Sequence, residues 1–393
     1  MIYHSFDRAS DSLKNAKYVI VGAGFYGSVV AERIANDMKE RVVIIEKRNH
    51  IGGNSSSHID EESGIECHSY GSHIFHTSNK IVWEYINNFC AFNNYRHKVL
   101  TQYKGKIYQL PINLSTINAF YGKTFTPDEA EAFLMGEIAK ENIQTPASLE
   151  EKAISLIGRP LYEAFIKGYS IKQWETDPKE LPASTITRLP VRYNYKAEYF
   201  NDPWQGIPFN GYDALFKRLL DSSNIELHLN ADYFNISHYV PDDCLVIYTG
   251  PADRFFNYKF GKLGWRTLQF EKNIYNTGDF QGTSVMNYAE ASTRYTRIHE
   301  FRHYHEERLN YPMNRTVIYR EYSAALGHND DPYYPINTEN DRKIFKLYEE
   351  EIKKHPNVIF GGRLGTYKYL DMDQSIAQAL GTYERKIKVR RRS

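Results

Sequence analysis

Cysteine is sparse in this chain, three residues in 393. Cys67, Cys90 and Cys244 are scattered, odd in number and form no CxxC pair, which excludes a disulfide framework and a cysteine metal site and suits a reducing cytoplasm. An excess of charge is missing too: 49 Lys and Arg stand against 48 Asp and Glu, a formal net charge of +1, so no nucleic-acid partner is implied. Long apolar runs are absent, and the opening MIYHSFDRASDSLKNA lacks the apolar core of a secretion signal, so neither a transmembrane segment nor standard export is expected. Metal-ligand spacing is absent as well. His68, His73 and His76 follow one another at i, i+5 and i+8 with no cysteine or carboxylate to complete a site, and no metal is expected. Tyrosine, in contrast, is abundant, 32 residues against 21 Phe, more than a core requires and compatible with a tyrosine-lined sugar or nucleotide cleft.

The most informative stretch is Tyr18 to Asn54. Tyr18-Val-Ile-Val21 is an apolar β-branched run too short for a buried helix, hence a central parallel strand. Gly22-x-Gly24-x-x-Gly27 follows at once: the first glycine for the tight turn, the second so that backbone can approach a pyrophosphate, the third for close helix packing. A helix over 28–39 would put its positive end on that pyrophosphate. A second strand, Val42 to Ile45, ends in Glu46, where a carboxylate can bind ribose hydroxyls and disfavours a 2′-phosphate. The continuation Lys47-Arg48-Asn49-His50-Ile51-Gly52-Gly53-Asn54 resembles the extension with which FAD enzymes wrap the diphosphate, so FAD is favoured over an exchanging nicotinamide.

Further along, Gly71 before His73 suggests backbone brought close to something bulky, such as a flavin ring. A helix is expected over 81–89, and a hairpin over 99–110 turning at Lys104-Gly105-Lys106. Helices are expected from Asp128 to Lys140, after a capping box Ser148-x-x-Glu151, and from Pro160. Residues 169–192, with Pro178, Pro182 and Pro190, read as a loop-rich segment. Strand-like segments from Tyr193 to Tyr322 (NIELHLNADYF, CLVIYTG, TSVMNY, TRIHEFRHY, TVIYREY) suggest an antiparallel sheet, interrupted near 211–250 by a return to the nucleotide-binding domain. A helix over 342–355, a strand Val358 to Phe360 and a last helix over 373–386 follow. The fold class is therefore α/β: a Rossmann-like FAD-binding domain (16–92, completed by about 205–255 and 340–385), an inserted helical domain (113–187) and an antiparallel sheet domain (93–112, 188–204 and 256–339). Residues 1–15 and 386–393 are expected to be tails, the basic KIKVRRR solvated.

Together with the opening motif, Gly71-Ser-His-Ile-Phe-His-Thr77, Tyr169-Ser-Ile-Lys-Gln-Trp174, Arg188-Leu-Pro-Val-Arg192, Tyr295-Thr-Arg297, Pro332-Tyr-Tyr-Pro335 and Gly361-Gly-Arg-Leu364 resemble bacterial UDP-galactopyranose mutases from about Lys17 to Leu380. The resemblance implies a redox-neutral isomerase that contracts a nucleotide-linked pyranose to the furanose used in surface glycans such as O-antigen. It also implies bound FAD, active when reduced by NAD(P)H, with flavin N5 joined transiently to the sugar. Tyr169 and Trp174 would line the nucleobase end. Arg188 and Arg297 would hold the diphosphate, the guanidinium fork matching phosphate oxygens, with Tyr199, Tyr334 and Tyr369 beside them. His73, Arg363 and Asp371 would face the flavin, and Phe25, Lys47, Asn54 and Met372 would complete its site. Arg188, Arg297 and His73 are the expected catalytic residues, and a homodimer is the expected assembly. Ser72 and Glu175 depart from the family's usual residues, which keeps UDP-N-acetylgalactosamine and dTDP-fucose beside UDP-galactose as substrates. Two other readings compete: an FAD oxidoreductase of the amine-oxidase type, separated by net consumption of oxidant, and a non-catalytic nucleotide-sugar binder, separated by binding without conversion.

Overall fold

Six parallel strands carry the nucleotide-binding half of the computed structural model, which describes residues 2–4, 6–186, 190–327 and 330–391. Their order is Ile2–His4, Ile225–His228, Val42–Ile45, Tyr18–Val21, Leu245–Tyr248 and Val358–Phe360. Parallel strands covered on both faces must be apolar throughout, and Val42–Ile45 and Leu245–Tyr248 are buried at every position. Alternation sorts their side chains into two layers. Ile20, Val42 and Ile44 pack with the helix Phe25–Asn36 and, behind it, Met372–Thr382, whereas Val19, Val43 and Ile45 pack with Leu13 and Ala231 on the other face.

Both chain ends differ from the expected tails. Ile2–His4 pairs in parallel with Ile225–His228, and Phe6–Lys14 is a helix whose Leu13 is fully buried. Without that arm the Ile225–His228 edge would present unpaired backbone groups. At the other end Met372–Thr382 runs into a π-helical turn, Tyr383–Ile387, and a 3-10 turn, Lys388–Arg391. Buried Ile387 and the Lys388–Asp37 ion pair at 2.9 Å hold this end against the first helix of the βαβ unit.

The second sheet has seven strands, in the order Tyr334–Pro335, Trp265–Tyr275, Thr316–Ala325, Arg297–Glu300, Val285–Tyr288, Val99–Tyr103 and Lys106–Leu110. It is antiparallel except where Val285–Tyr288 meets Val99–Tyr103. The hairpin Val99–Leu110 turns through Lys104 and Gly105, both at positive φ, as a two-residue turn requires. Two turns differ from the sequence reading: Tyr233–Ile236 and Phe301–Tyr304 are helical. NIELHLNADYF and CLVIYTG place their strands in the parallel sheet, with the helix Gly211–Leu219 ahead of them, where the return to the nucleotide-binding domain near 211–250 is expected.

Between Leu114 and Trp174 the chain is helical. Thr126 and Glu129 form a reciprocal capping box around Pro127, worth about 1 kcal/mol. Ser148 caps Leu149–Ile157, but Glu151 reaches one residue further back, to the Ala147 N–H at 2.8 Å, so the expected box is only half formed. Gly168–Trp174 is a helix rather than loop, and the prolines break the chain only beyond it. Two features pin this helix to the second sheet. A Cβ on Gly168 would stand 2.4 Å from the Ala289 carbonyl, and Lys172 Nζ donates to the Tyr288 and Tyr295 carbonyls at 2.6 and 3.0 Å. Burial lowers that ammonium to about 8.

Candidate functional site

A cavity of about 1030 Å3 opens where the parallel strands end, and of the thirteen expected cofactor residues every one but Asp371 lines it: Gly22, Gly24, Phe25, Gly27, Glu46, Lys47, Arg48, Gly53, Asn54, His73, Arg363 and Met372. The three motif glycines do different work. Gly22 has φ +105 and a Cβ there would lie 2.1 Å from Thr249 Oγ1, while a Cβ on Gly27 would lie 2.1 Å from the Gly22 carbonyl oxygen, so both serve the fold. Gly24 has room. The nearest atom to a Cβ there is Gly53 Cα at 3.9 Å, so the two glycines lie backbone to backbone and leave bare main chain on the cavity wall, where a diphosphate could approach closely. Gly24 also leaves the N-terminus of Phe25–Asn36 without a side-chain cap, and an uncapped helix start attracts anions. This donor set and shape fit FAD.

Several of these side chains are also held by protein partners. Glu46 Oε2 accepts from the Ala23 N–H and Oε1 from the Arg48 N–H, each at 2.8 Å, which fixes the acid at the strand end with lone pairs to spare. Lys47 and Arg48 both pair with Asp331, at 2.5 and 2.7 Å, and Arg48 stacks over Tyr70. Nothing in the sequence marks Asp331 as their partner, since it lies some 280 residues further along, in an unremarkable Asp-Asp-Pro stretch. Burial would raise the Asp331 carboxyl, but these two cations outweigh it and lower it. Asp371 caps the helix Met372–Thr382, its N–H donating to Gln374 Oε1 at 3.0 Å, and faces Tyr369 rather than the cavity.

Arg297 is the hub of a neighbouring cluster of arginine and tyrosine side chains. Its Nη2 donates to the Tyr169 hydroxyl, and its Nε lies 3.0 Å from Glu321 Oε1. Tyr334 and Tyr199 lie within range of its charge. Tyr334 stacks on Tyr369 at 5.9 Å, and the Arg363 guanidinium sits 4.7 Å from the Tyr369 ring. Since Arg363 also lines the cavity, it is a wall shared by the cavity and this cluster. Trp174, half-buried, ends the helix that carries Tyr169. Glu175 follows at φ 50 and pairs with buried Arg266 at 2.9 Å, while Ser323, which receives Arg266 Nε and Nη2, donates to the Gln173 carbonyl. The helix end is thereby latched to two strands. Arg188 lies outside the described residues.

Glu321 is the residue sequence reasoning missed most clearly. It is 2% exposed, and burial would push its carboxyl up, yet Arg297 and the donors His299 and Thr296 bring it down to about 2. Gly71, at φ +84, makes a close approach to Phe270 and Glu321, at 3.1 and 3.3 Å for a Cβ. The three histidines do not converge. His68 stacks on Tyr304, His76 pairs with Asp202, and His73, brought down to about 4 by burial, turns its Nδ1 to the Gly71 carbonyl. The His73 backbone is occupied on both sides, its N–H by His68 Nδ1 and its carbonyl by the Tyr212 hydroxyl. Asp279, Glu300 and His303 bring ligand-type atoms within 4.8 Å of one another, but Glu300 there accepts the N–H groups of Phe280 and Gln281 and the Thr316 hydroxyl, holding a turn together.

A family model described as UDP-galactopyranose mutase matches residues 164–369, and one for NAD(P)-binding Rossmann-like domains matches residues 20–89. A probable UDP-galactopyranose mutase of Klebsiella pneumoniae is 44% identical over 370 residues, covering 94% of each chain. The dTDP-fucopyranose mutase of Escherichia coli is 40% identical over 370 residues, 93% of this chain and 96% of its own. Among solved structures, a reduced UDP-galactopyranose mutase shares the fold with a TM-score of 0.76 over 95% of this chain and 94% of its own, at 15% identity. With one family model spanning more than half of the sequence and 44% identity almost from end to end, the chain belongs to the UDP-galactopyranose mutase family.

Proposed function

We propose that this protein interconverts the pyranose and furanose forms of UDP-galactose, with FAD in the large cavity and the nucleotide sugar in the adjoining arginine–tyrosine cleft. The observation that carries the reading is the shared wall: Arg363 touches the cavity on one side and Tyr334 and Tyr369 on the other. Reduced FAD supplies a nucleophile for the anomeric carbon and ends each turnover in the oxidation state in which it began. The chain's own task is to hold charge. Arg297, with Arg188, holds the nucleoside diphosphate while its bond to the sugar is open, a stabilisation strongest in a water-poor site. Tyr199, Tyr334 and Tyr369 orient the phosphates, and Tyr169 and Trp174 grip the nucleobase. His73, neutral at ordinary pH, adds no charge beside the ring, while Arg363 and the start of Met372–Thr382 favour an electron-rich one.

In this reading NAD(P)H is the reductant, and the furanose product feeds cytoplasmic synthesis of a surface polysaccharide such as O-antigen. The active assembly is a homodimer, and the helices between 113 and 187 form an inserted domain that carries the nucleobase contacts. The three free thiols suit a reducing compartment, and among the described residues no helix is long and apolar enough to cross a membrane.

The two relatives at 44% and 40% identity bear different sugar and base names, so the sugar is tested directly. Dithionite-reduced protein is incubated with equal concentrations of UDP-galactose, UDP-N-acetylgalactosamine and dTDP-fucose, and pyranose and furanose are separated by chromatography. Conversion is expected, with UDP-galactose first. A tenfold or greater preference for another of the three overturns the substrate, and binding without any conversion overturns the reaction.

A further inference from the structure

A buried hydrogen-bond relay runs from the loop beside the cavity to Arg297. Ser72 Oγ contacts both His299 Nδ1 and the Tyr304 hydroxyl; His299 Nε2 lies 2.9 Å from Glu321 Oε2; and Glu321 Oε1 lies 3.0 Å from Arg297 Nε. His299, Tyr304 and Glu321 are at most 2% exposed. The proton direction follows from elimination. An ionised carboxylate only accepts, so Nε2 of a neutral His299 carries the hydrogen and Nδ1 accepts. Ser72 has one proton and gives it to Nδ1, and therefore takes its other bond from Tyr304. Every group from Tyr304 to Glu321 is thereby satisfied in a single sense, the condition under which a buried polar network fixes one geometry.

The trio of serine, histidine and carboxylate is reversed with respect to a hydrolytic triad, in which the acid takes Nδ1 and the nucleophile Nε2. Its serine also accepts a hydrogen bond from Tyr304 and stands outside the cavity lining. The relay does not make a nucleophile. Its far end, though, is the cleft's cation. Arg297 Nε is buried without an aligned hydrogen bond, so on that side the guanidinium is held by the place and charge of Glu321, while its Nη2 donates to the Tyr169 hydroxyl. At its near end Ser72 joins Gly71, which abuts Glu321, to His73, which lines the cavity.

We propose that Ser72 and His299 are positioning residues that aim Arg297 at the diphosphate by fixing Glu321, and so tie the cavity-side loop to the charge-holding end of the substrate cleft. The inference rests on the reading of Arg297 given above, and the test separates the two. Affinity for UDP and for dTDP is measured by calorimetry on the FAD-loaded protein, beside kcat and KM, for Ser72→Ala, His299→Gln, His299→Leu and Arg297→Ala. Ser72→Ala removes one hydrogen bond and should weaken the tighter diphosphate roughly five- to tenfold, raising KM by a similar factor and moving kcat less. His299→Gln retains an N–H for Glu321 and should recover most of what His299→Leu loses, a rescue that mere filling of space would not produce. If Arg297→Ala weakens the diphosphate while Ser72→Ala and both His299 variants bind it within twofold of wild type, the relay inference is overturned and the site stands. Equal losses in the Gln and Leu variants also overturn it. If Arg297→Ala itself leaves affinity unchanged, the reading of the cleft falls, and the inference with it.

Discussion

Gly24→Val is expected to fold and to purify without flavin. The reason lies in how the three motif glycines differ. A side chain at Gly22 or Gly27 would collide with atoms 2.1 Å away and disturb the strand–turn–helix itself, whereas a Cβ at Gly24 meets only Gly53 Cα at 3.9 Å. Valine methyls would therefore project from the bare main chain of the cavity wall, at the uncapped start of Phe25–Asn36, without unfolding it. Overpacking of a close-fitting contact costs about 1 to 3 kcal/mol, and losing the backbone's approach to the diphosphate adds roughly 1 kcal/mol for each hydrogen bond. Together this weakens FAD by roughly 100-fold or more. Flavin released by denaturation, counted per chain, gives the readout, with thermal unfolding as control. About one FAD per chain in wild type and near none in a folded variant is expected; normal flavin content in Gly24→Val would remove the diphosphate from this part of the wall.

Arg297→Ala should lower kcat/KM by roughly 30-fold or more, because a diphosphate left without its charge partner in a water-poor site costs on the order of 2 to 5 kcal/mol. The same substitution strands Glu321, 2% exposed, with its charge uncompensated except by His299 and Thr296. Breaking a buried pair from one side destabilises by about 3 to 5 kcal/mol. Stability and turnover can be told apart in Arg297→Ala/Glu321→Gln, which removes the stranded charge. Urea unfolding should show most of the stability regained, while kcat/KM stays low. A folded, flavin-containing Arg297→Ala with near wild-type efficiency would remove Arg297 from the reaction. Glu321 also has a pH signature of known sign. Its carboxyl is depressed from 4.5 to about 2, so its contribution to stability is complete above its ordinary value and is lost as the pH falls from there toward 2.

The cofactor half was legible in the sequence because its signals are local. Strand, glycine turn, helix, strand and acid follow within about thirty residues, and each obeys backbone geometry alone. The eleven-residue strand Trp265–Tyr275, the longest in the second sheet, has no clear sequence signal: WRTLQFEKNIY shows no sustained alternation, and Trp265, Arg266, Thr267 and Leu268 are all buried in a row. Arg266 is tolerated there because Glu175, ninety-one residues earlier, pairs with it. Trp174 reads as loop in the sequence because three prolines follow it, although the helix ends cleanly at Glu175 before the first of them. The N-terminal arm looked like a tail because a three-residue strand has no pattern of its own; its partner, Ile225–His228, supplies the reason for it. Ser72, His299 and Glu321 form one network from segments 227 and 22 residues apart. Only the folding of the second sheet onto the Gly71 loop brings them together.

The central claim, a redox-neutral isomerisation that needs a reduced cofactor, is tested most directly by counting reductant. Oxygen-free protein is reduced with a known amount of dithionite or NAD(P)H and given a large excess of UDP-galactopyranose or its furanose isomer, and product and remaining reductant are measured together. Many turnovers for each reducing equivalent supplied, with negligible conversion by the oxidised protein, is the predicted result. Equal rates in the oxidised and reduced states, or one reductant consumed for each product formed, would contradict it.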